Sequence, residues 1–367
     1  GGSTDTDTDG VDTDTTDGAV DTGATGGTDG GTTDTGATGG TTTGAAVGYI
    51  GSPCGSDADC PYDGGVCLKE SEGFPRGTCS ASCDQFCDDA DGYPTTFCAE
   101  VGALPSAVSY LGDGGCLSRC DFATFPGVGC REDYGCVPTG RANDPGVETY
   151  ACLPNVASDL SSCMADLAGR GVPFEPTIVA DDVPVGGSET CHVEEPILFH
   201  SGYLGVDLVY STTSPDSVLG ACSLGQSLAD TIEDVVPQGV TTIHHLGTYN
   251  CRVIAGTATL SRHGFGDAID LSSFEFSDGT EYVVEFDWEI DDASPETAGG
   301  QWLYDAAHGW HDQGLWNIIL TPDYNSAHYN HFHIDMTPGS DFLGRFALPG
   351  GEFSGGRYIG PSPWGDE

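Results

Sequence analysis

The sequence predicts an α+β fold: an antiparallel sheet with flanking helices that carries a candidate metal site, preceded by a small disulfide-rich module and a low-complexity tether. Three observations predict it. The run His331-Phe332-His333-Ile334-Asp335 alternates strictly between polar and apolar residues, which is the period of a strand and sets His331, His333 and Asp335 on one face. The stretches 158–169 and 302–319 instead space their apolar residues at helical intervals. Of the 16 cysteines, those from Cys54 to Cys152 crowd into a segment poor in aliphatic residues, ahead of these patterns.

Composition bounds the function. A chain of 367 residues suggests two or three domains. A net charge of −47 with Lys69 as the single lysine excludes nucleic-acid and anionic-membrane partners, which need clustered Lys and Arg, and makes cations the natural counterpart. No Cys-x-x-Cys pair occurs among the cysteines, so they read as disulfides formed in an oxidising compartment. That places the protein outside the cell or at its surface. No apolar run approaches the ~20 residues of a membrane span. The chain starts at Gly1 without methionine, as expected if a signal peptide has been removed or excluded.

Taken in order, residues 1–47 are almost entirely Gly, Thr, Asp and Ala and cannot bury enough apolar area to offset chain entropy, so they read as an extended tether. Two sharper readings stand beside this. Asp5, Asp7 and Asp9, with Gly10, match the first half of a calcium loop, and the threonines suit O-glycosylation. Residues 48–154 form the cysteine-rich module, in which Cys79-x-x-x-Cys83 and Cys116-x-x-x-Cys120 hint at a duplicated unit. Its expected role is spacing, surface attachment or partner binding.

Residues 155–350 read as the domain carrying the candidate site. A helix is expected over 158–169, strands at 197–199, 206–210 and 241–243, and a second helix over 227–235. Cys163, Cys191, Cys222 and Cys251 form an even set that would tie the periphery to the site. Beyond Asp270, Phe274–Phe276 and Tyr282–Trp288 flank Ser277-Asp278-Gly279 as a hairpin. An amphipathic helix over 302–319 would expose His308 and His311, and His192, His200, His244 and His245 read as structural or surface histidines. Residues 351–367 are a Gly/Pro-rich tail; this tail or the cysteine-rich module offers surfaces for self-assembly.

The chemistry concentrates in two segments. Ser261-Arg262-His263-Gly264-Phe265-Gly266-Asp267-Ala268-Ile269-Asp270 supplies an imidazole and a carboxylate, and His328-Tyr329-Asn330-His331-Phe332-His333 supplies more imidazoles. A three-ligand zinc site with an open fourth position needs these groups. Gly264 and Gly266 allow a tight turn that swings His263 back toward Asp270.

The pattern Ser-x-His-x-x-Gly-x-Ala-x-Asp followed by His-x-His resembles the zinc peptidases that include D-alanyl-D-alanine carboxypeptidases, D-Ala-D-Ala dipeptidases and the murein endopeptidase MepA. The flanking Tyr249-Asn250-Cys251-Arg252 and Leu320-Thr321-Pro322-Asp323-Tyr324-Asn325-Ser326-Ala327-His328 are similar to the extensin-like C-terminal branch of that group. The resemblance spans roughly residues 160–340. It implies that His263, Asp270 and His333 bind zinc, with His331 beside the metal. Many relatives place a Glu three residues before the last ligand; here that position is Asn330, and the His-x-x-His-x-His form is similar to the MepA subgroup, which lacks that Glu. His331 is then the expected base and His328 a neighbouring or substrate contact. Arg252 either holds a substrate carboxylate or pairs with one of the many acids. The implied activity is that of a secreted zinc metallopeptidase acting on peptidoglycan peptides of the D-Ala type or another extracellular peptide. The alternative is an extracellular structural or adhesive subunit that keeps a peptidase-like metal-binding fold without its catalysis.

Overall fold

The structure is a computed structural model, and it describes residues 48–210 and 215–344. The tether with its calcium candidates Asp5, Asp7 and Asp9, and the tail 351–367, lie outside the described residues. Everything described belongs to one compact unit.

The cysteine-rich part is a six-stranded sheet built from β1 (Gly65–Leu68), β2 (Thr78–Cys83), β3 (Thr96–Glu100), β4 (Gly114–Ser118), β5 (Tyr134–Arg141) and β6 (Asp144–Pro154), in the order β1-β2-β4-β3-β5-β6. All twelve of its cysteines pair within it: 54–67, 60–79, 83–98, 87–116, 120–136 and 130–152. Each consecutive set of four cysteines joins its first to its third and its second to its fourth. In every set the third and fourth sit directly across a strand pair, as Cys67 opposite Cys79, Cys98 opposite Cys116 and Cys136 opposite Cys152. The unit is therefore repeated three times, where spacing alone suggested two. Short hairpins are marginal by themselves, and two cross-links per hairpin compensate for the sparse apolar content.

Shared packing joins this module to the C-terminal part of the chain. Phe122 stacks on Phe174 with ring centroids 4.2 Å apart, Phe122 N–H donates to the Phe174 carbonyl at 2.9 Å, and Arg119 pairs with Glu175. One continuous hydrophobic core runs from Leu68 to Ile334.

The remainder opens with α1 (Ser162–Arg170), capped by Ser161 accepting from Met164 N–H, then β7 (Phe174–Pro176), β8 (Pro196–Phe199), β9 (Asp207–Tyr210), β10 (Val218–Ala221) and α2 (Cys222–Val235). Strands β7, β8 and β10 form a small sheet. Next come β11 (Val240–Gly247), β12 (Ala268–Phe276), β13 (Glu281–Val283), α3 (Val284–Asp287), α4 (Ala298–Asp312), β14 (Ile318–Leu320), β15 (Phe332–Asp335) and β16 (Phe342–Leu343). They complete a larger sheet in the order β16-β14-β15-β12-β11-β9, with β13 on β12.

That sheet is mixed, not antiparallel as expected: β9 runs parallel to β11 and β14 parallel to β16. Parallel neighbours need a crossover, and β10 with α2 provide the one between β9 and β11. Strand periodicity carries no information about direction, so the sequence could not separate the two. The second arm of the expected hairpin ends at Val283 and turns into α3. Helix α4 starts four residues earlier than its apolar spacing indicates and stops at Asp312, because Thr297 caps it by accepting from Gly300 N–H at 3.0 Å. His308 and His311 are half-buried rather than exposed: His308 stacks on Tyr304 and His311 pairs with Asp341. Among the described residues no helix is long and apolar enough to cross a membrane.

Candidate metal centre

The centre forms where β12 meets β15 in the middle of the larger sheet. Asp270 lies directly opposite His333 in that pairing, so the two side chains share a face by strand geometry alone. His263 arrives from a 3-10 turn, Arg262–Phe265, that ends at Gly266 with φ of 64°, a left-handed conformation that glycine adopts without steric cost. Gly264 is needed for a different reason. A Cβ there would lie 2.9 Å from Leu260 Cδ1 and 3.1 Å from Cys191 Sγ, so any larger residue would have to push Leu260 and the disulfide aside.

The three side chains converge. His263 Nε2 is 3.2 Å from His333 Nδ1, His333 Nδ1 is 2.9 Å from Asp270 Oδ1, and His263 Nε2 is 3.3 Å from Asp270 Oδ2. The outer nitrogens fix the tautomers. His263 Nδ1–H donates to the Thr248 carbonyl at 2.5 Å, and His333 Nε2–H donates to Asp335 Oδ2 at 3.1 Å. Both inner nitrogens are thereby left with lone pairs, facing each other and a carboxylate. Such a set of acceptors requires a proton or a cation among them. Ligand atoms ~2.0–2.1 Å from a tetrahedral zinc lie about 3.3 Å apart, close to the separations found here, so the three residues are of the right kind and near the right spacing for that ion.

Electrostatics agree. Burial alone would raise the Asp270 carboxyl, yet His263 and His333 hold it well below the usual carboxylate range. Burial alone would lower His333, and its bonds to Asp270 and Asp335 instead raise it to about 10. These shifts favour a shared proton between His333 and Asp270 where a cation could sit.

The other expected site residues sit around this cluster. His331 Nε2 is 3.7 Å from Asp270 Oδ1, and its Nδ1 bonds Asn330 Oδ1 at 2.8 Å; burial pushes it down to about 4. His328 is buried, its Nδ1 on Asn325 Oδ1 at 2.8 Å, with its ring centroid 5.2 Å from that of His331. Arg252 lies in the segment after β11, where its carbonyl accepts from Ser261 N–H. Among the described residues Arg252 is the one arginine with no ion pair, hydrogen bond or ring contact at its guanidinium. The reading of Arg252 as one half of an ion pair therefore finds no acid here.

The remaining histidines make no bond to the centre, although His245 lies near enough to feel the Asp270 charge. His192 pairs with Asp181, His200 with Ser217 and His244 with Glu275, and His245 is buried with neither ring nitrogen bonded. The cysteine groups close enough to hold a metal are all closed as disulfides. Sequence reasoning missed Thr248, which acts through its carbonyl and so has no side-chain signature. Asp335 was legible only as a residue on the same strand face as His333.

No curated protein and no solved structure matches the chain. Residues 161–342 match the family model described as the extensin-like protein C-terminus, so the part of the chain that brings His263, Asp270 and His333 together is an extensin-like C-terminal domain.

Proposed function

We propose that this is a secreted zinc-dependent peptidase that hydrolyses amide bonds of the D-Ala type in peptidoglycan peptides. The observation that carries this reading is the meeting of His263, Asp270 and His333 with lone pairs turned inward. Its eight disulfides fit an oxidising, extracellular setting. A zinc ion bound there would polarise a substrate carbonyl and acidify a water molecule.

The chain's own residues then have distinct tasks. Burial depresses His331, so its Nε2 carries no proton at physiological pH and can take one up, as a weaker base than an ordinary imidazole. Asn330, standing where many relatives place a Glu, accepts from His331 Nδ1–H and keeps Nε2 toward Asp270. Arg252, with its fork unengaged, suits a terminal carboxylate. His328 supports the imidazole cluster from behind through Asn325.

A second reading is favoured by Asn330: a structural or adhesive extracellular subunit that retains the metal to stabilise its fold. One experiment separates the two. Purified protein is loaded with zinc and offered muropeptides and D-Ala-D-Ala peptides, with chelated protein and His333→Ala as controls. The peptidase reading expects turnover that chelation and His333→Ala abolish. Stoichiometric zinc without turnover on any of these substrates sinks it in favour of the structural reading.

A further inference from the structure

His263 is the one member of the cluster that does not stand on a strand, so something else must hold its ring. The segment 248–252 does so through three bonds to the turn: Thr248 carbonyl to His263 Nδ1–H at 2.5 Å, Asn250 N–H to the His263 carbonyl at 3.1 Å, and Ser261 N–H to the Arg252 carbonyl at 3.0 Å. Between Gly247 and Arg262 this chain makes no strand or helix, only an isolated bridge between Val253 and Leu260. Its covalent anchor is Cys251, bonded to Cys191. Cys191 is fully buried and packs on Gly264, next to the ligand, where a Cβ would come within 3.1 Å of its sulfur.

We infer that the Cys191–Cys251 disulfide is a positioning strut for the metal centre, so that the site binds zinc more tightly when this bond is closed. The inference rests on reading the site as a metal centre. Closed, the strut presses segment 248–252 onto the turn and keeps His263 Nε2 pointed inward. Reduction by a dithiol delivers two electrons and two protons, breaks the sulfur–sulfur bond to two thiols and closes the dithiol to its own disulfide. Thr248 and Asn250 then lose their anchor, and the ring loses the partner that fixes its tautomer. Metal loading is thereby favoured in an oxidising compartment, and a chain with this bond reduced holds zinc more weakly.

The test uses the full chain. Zinc affinity is measured by chelator competition for the wild type, for Cys191→Ser/Cys251→Ser and for Cys163→Ser/Cys222→Ser, which removes a disulfide between α1 and α2. Loss of support for a metal ligand costs about tenfold to a hundredfold in affinity, and that loss is expected for the first variant, with the second within about threefold of wild type. A second measurement needs no variant. Linkage is reciprocal, so zinc should slow the alkylation of Cys191 and Cys251 under limiting dithiol, read by mass spectrometry, while leaving Cys163 and Cys222 unchanged. If Cys191→Ser/Cys251→Ser does not fold, the alkylation rates decide. Wild type that binds zinc, together with an unchanged variant or unchanged alkylation, overturns the strut and leaves the metal centre standing. Wild type that binds no zinc sinks both.

Discussion

At the scale of single residues, the cluster sets two imidazoles against a carboxylate, and a proton and the proposed zinc would compete for the same few ångströms. In the metal-free protein His333 is raised to about 10, above its unfolded value of ~6.5. Its contribution to stability is therefore complete below about pH 6.5 and is lost as pH rises through about 10. Asp270 is lowered, so its contribution is present above ~3.9 and is lost as pH falls through its folded value. Thermal melts of metal-free protein should accordingly decline between about pH 7 and 10, and zinc should flatten that decline by replacing the proton. Zinc uptake in weak buffer at pH 7 should release about one proton from the cluster; uptake with no proton release would contradict the assigned protonation. Asn330→Ala frees His331 to turn. If His331 is the base, this variant should lose roughly tenfold or more in kcat while zinc affinity and KM hold, since a positioned proton acceptor is worth ~10²–10⁴.

At the scale of elements, the candidate ligands depend on strand pairing for two members and on a turn for the third. Asp270 and His333 face each other because β12 and β15 are adjacent and antiparallel, and a one-residue slip would point one of them away. Helix α4, between β13 and β14, is held at its start by more than its cap. Thr297 accepts from Gly300 N–H, while the Glu289 carboxylate accepts from Glu296 N–H, Thr297 N–H and the Thr297 hydroxyl. Two glycines in the first turn are weak helix formers, which is why this helix needs such support. Thr297→Ala should cost about 1–2 kcal/mol in urea unfolding, with zinc affinity unchanged; a neutral result would mean that Glu289 alone suffices.

At the scale of the whole molecule, the cysteine-rich part and the extensin-like domain are not beads on a string. Phe122 from the third four-cysteine unit is stacked on Phe174 of the domain, both nearly fully buried. Beside them Arg119 reaches Glu175 and the Pro176 carbonyl, with Thr95 completing the carboxylate's partners. Phe122→Ala leaves a cavity in this shared core and should cost about 3–5 kcal/mol. The decisive readout is where the loss appears. A single cooperative transition that shifts as one supports a joint core, whereas a domain transition that stays put while the module melts early would show two independent folds. The threefold unit also explains why the module needs so few aliphatic residues: each hairpin closes on two disulfides.

The candidate chemistry was legible in the chain itself. The alternation through His331 and His333, the ten-residue motif ending at Asp270 and the even cysteine sets are local patterns, and local patterns report which groups share a face and which segments need cross-links. Folding in three dimensions settled the rest. Strand direction, the 1–3 and 2–4 pairing in each cysteine unit, the Thr248 carbonyl behind His263 and the unengaged fork of Arg252 all depend on contacts between residues far apart in the chain. Backbone groups carry no residue identity, and an ion pair is a property of two positions in space, so neither leaves a mark that spacing can reveal.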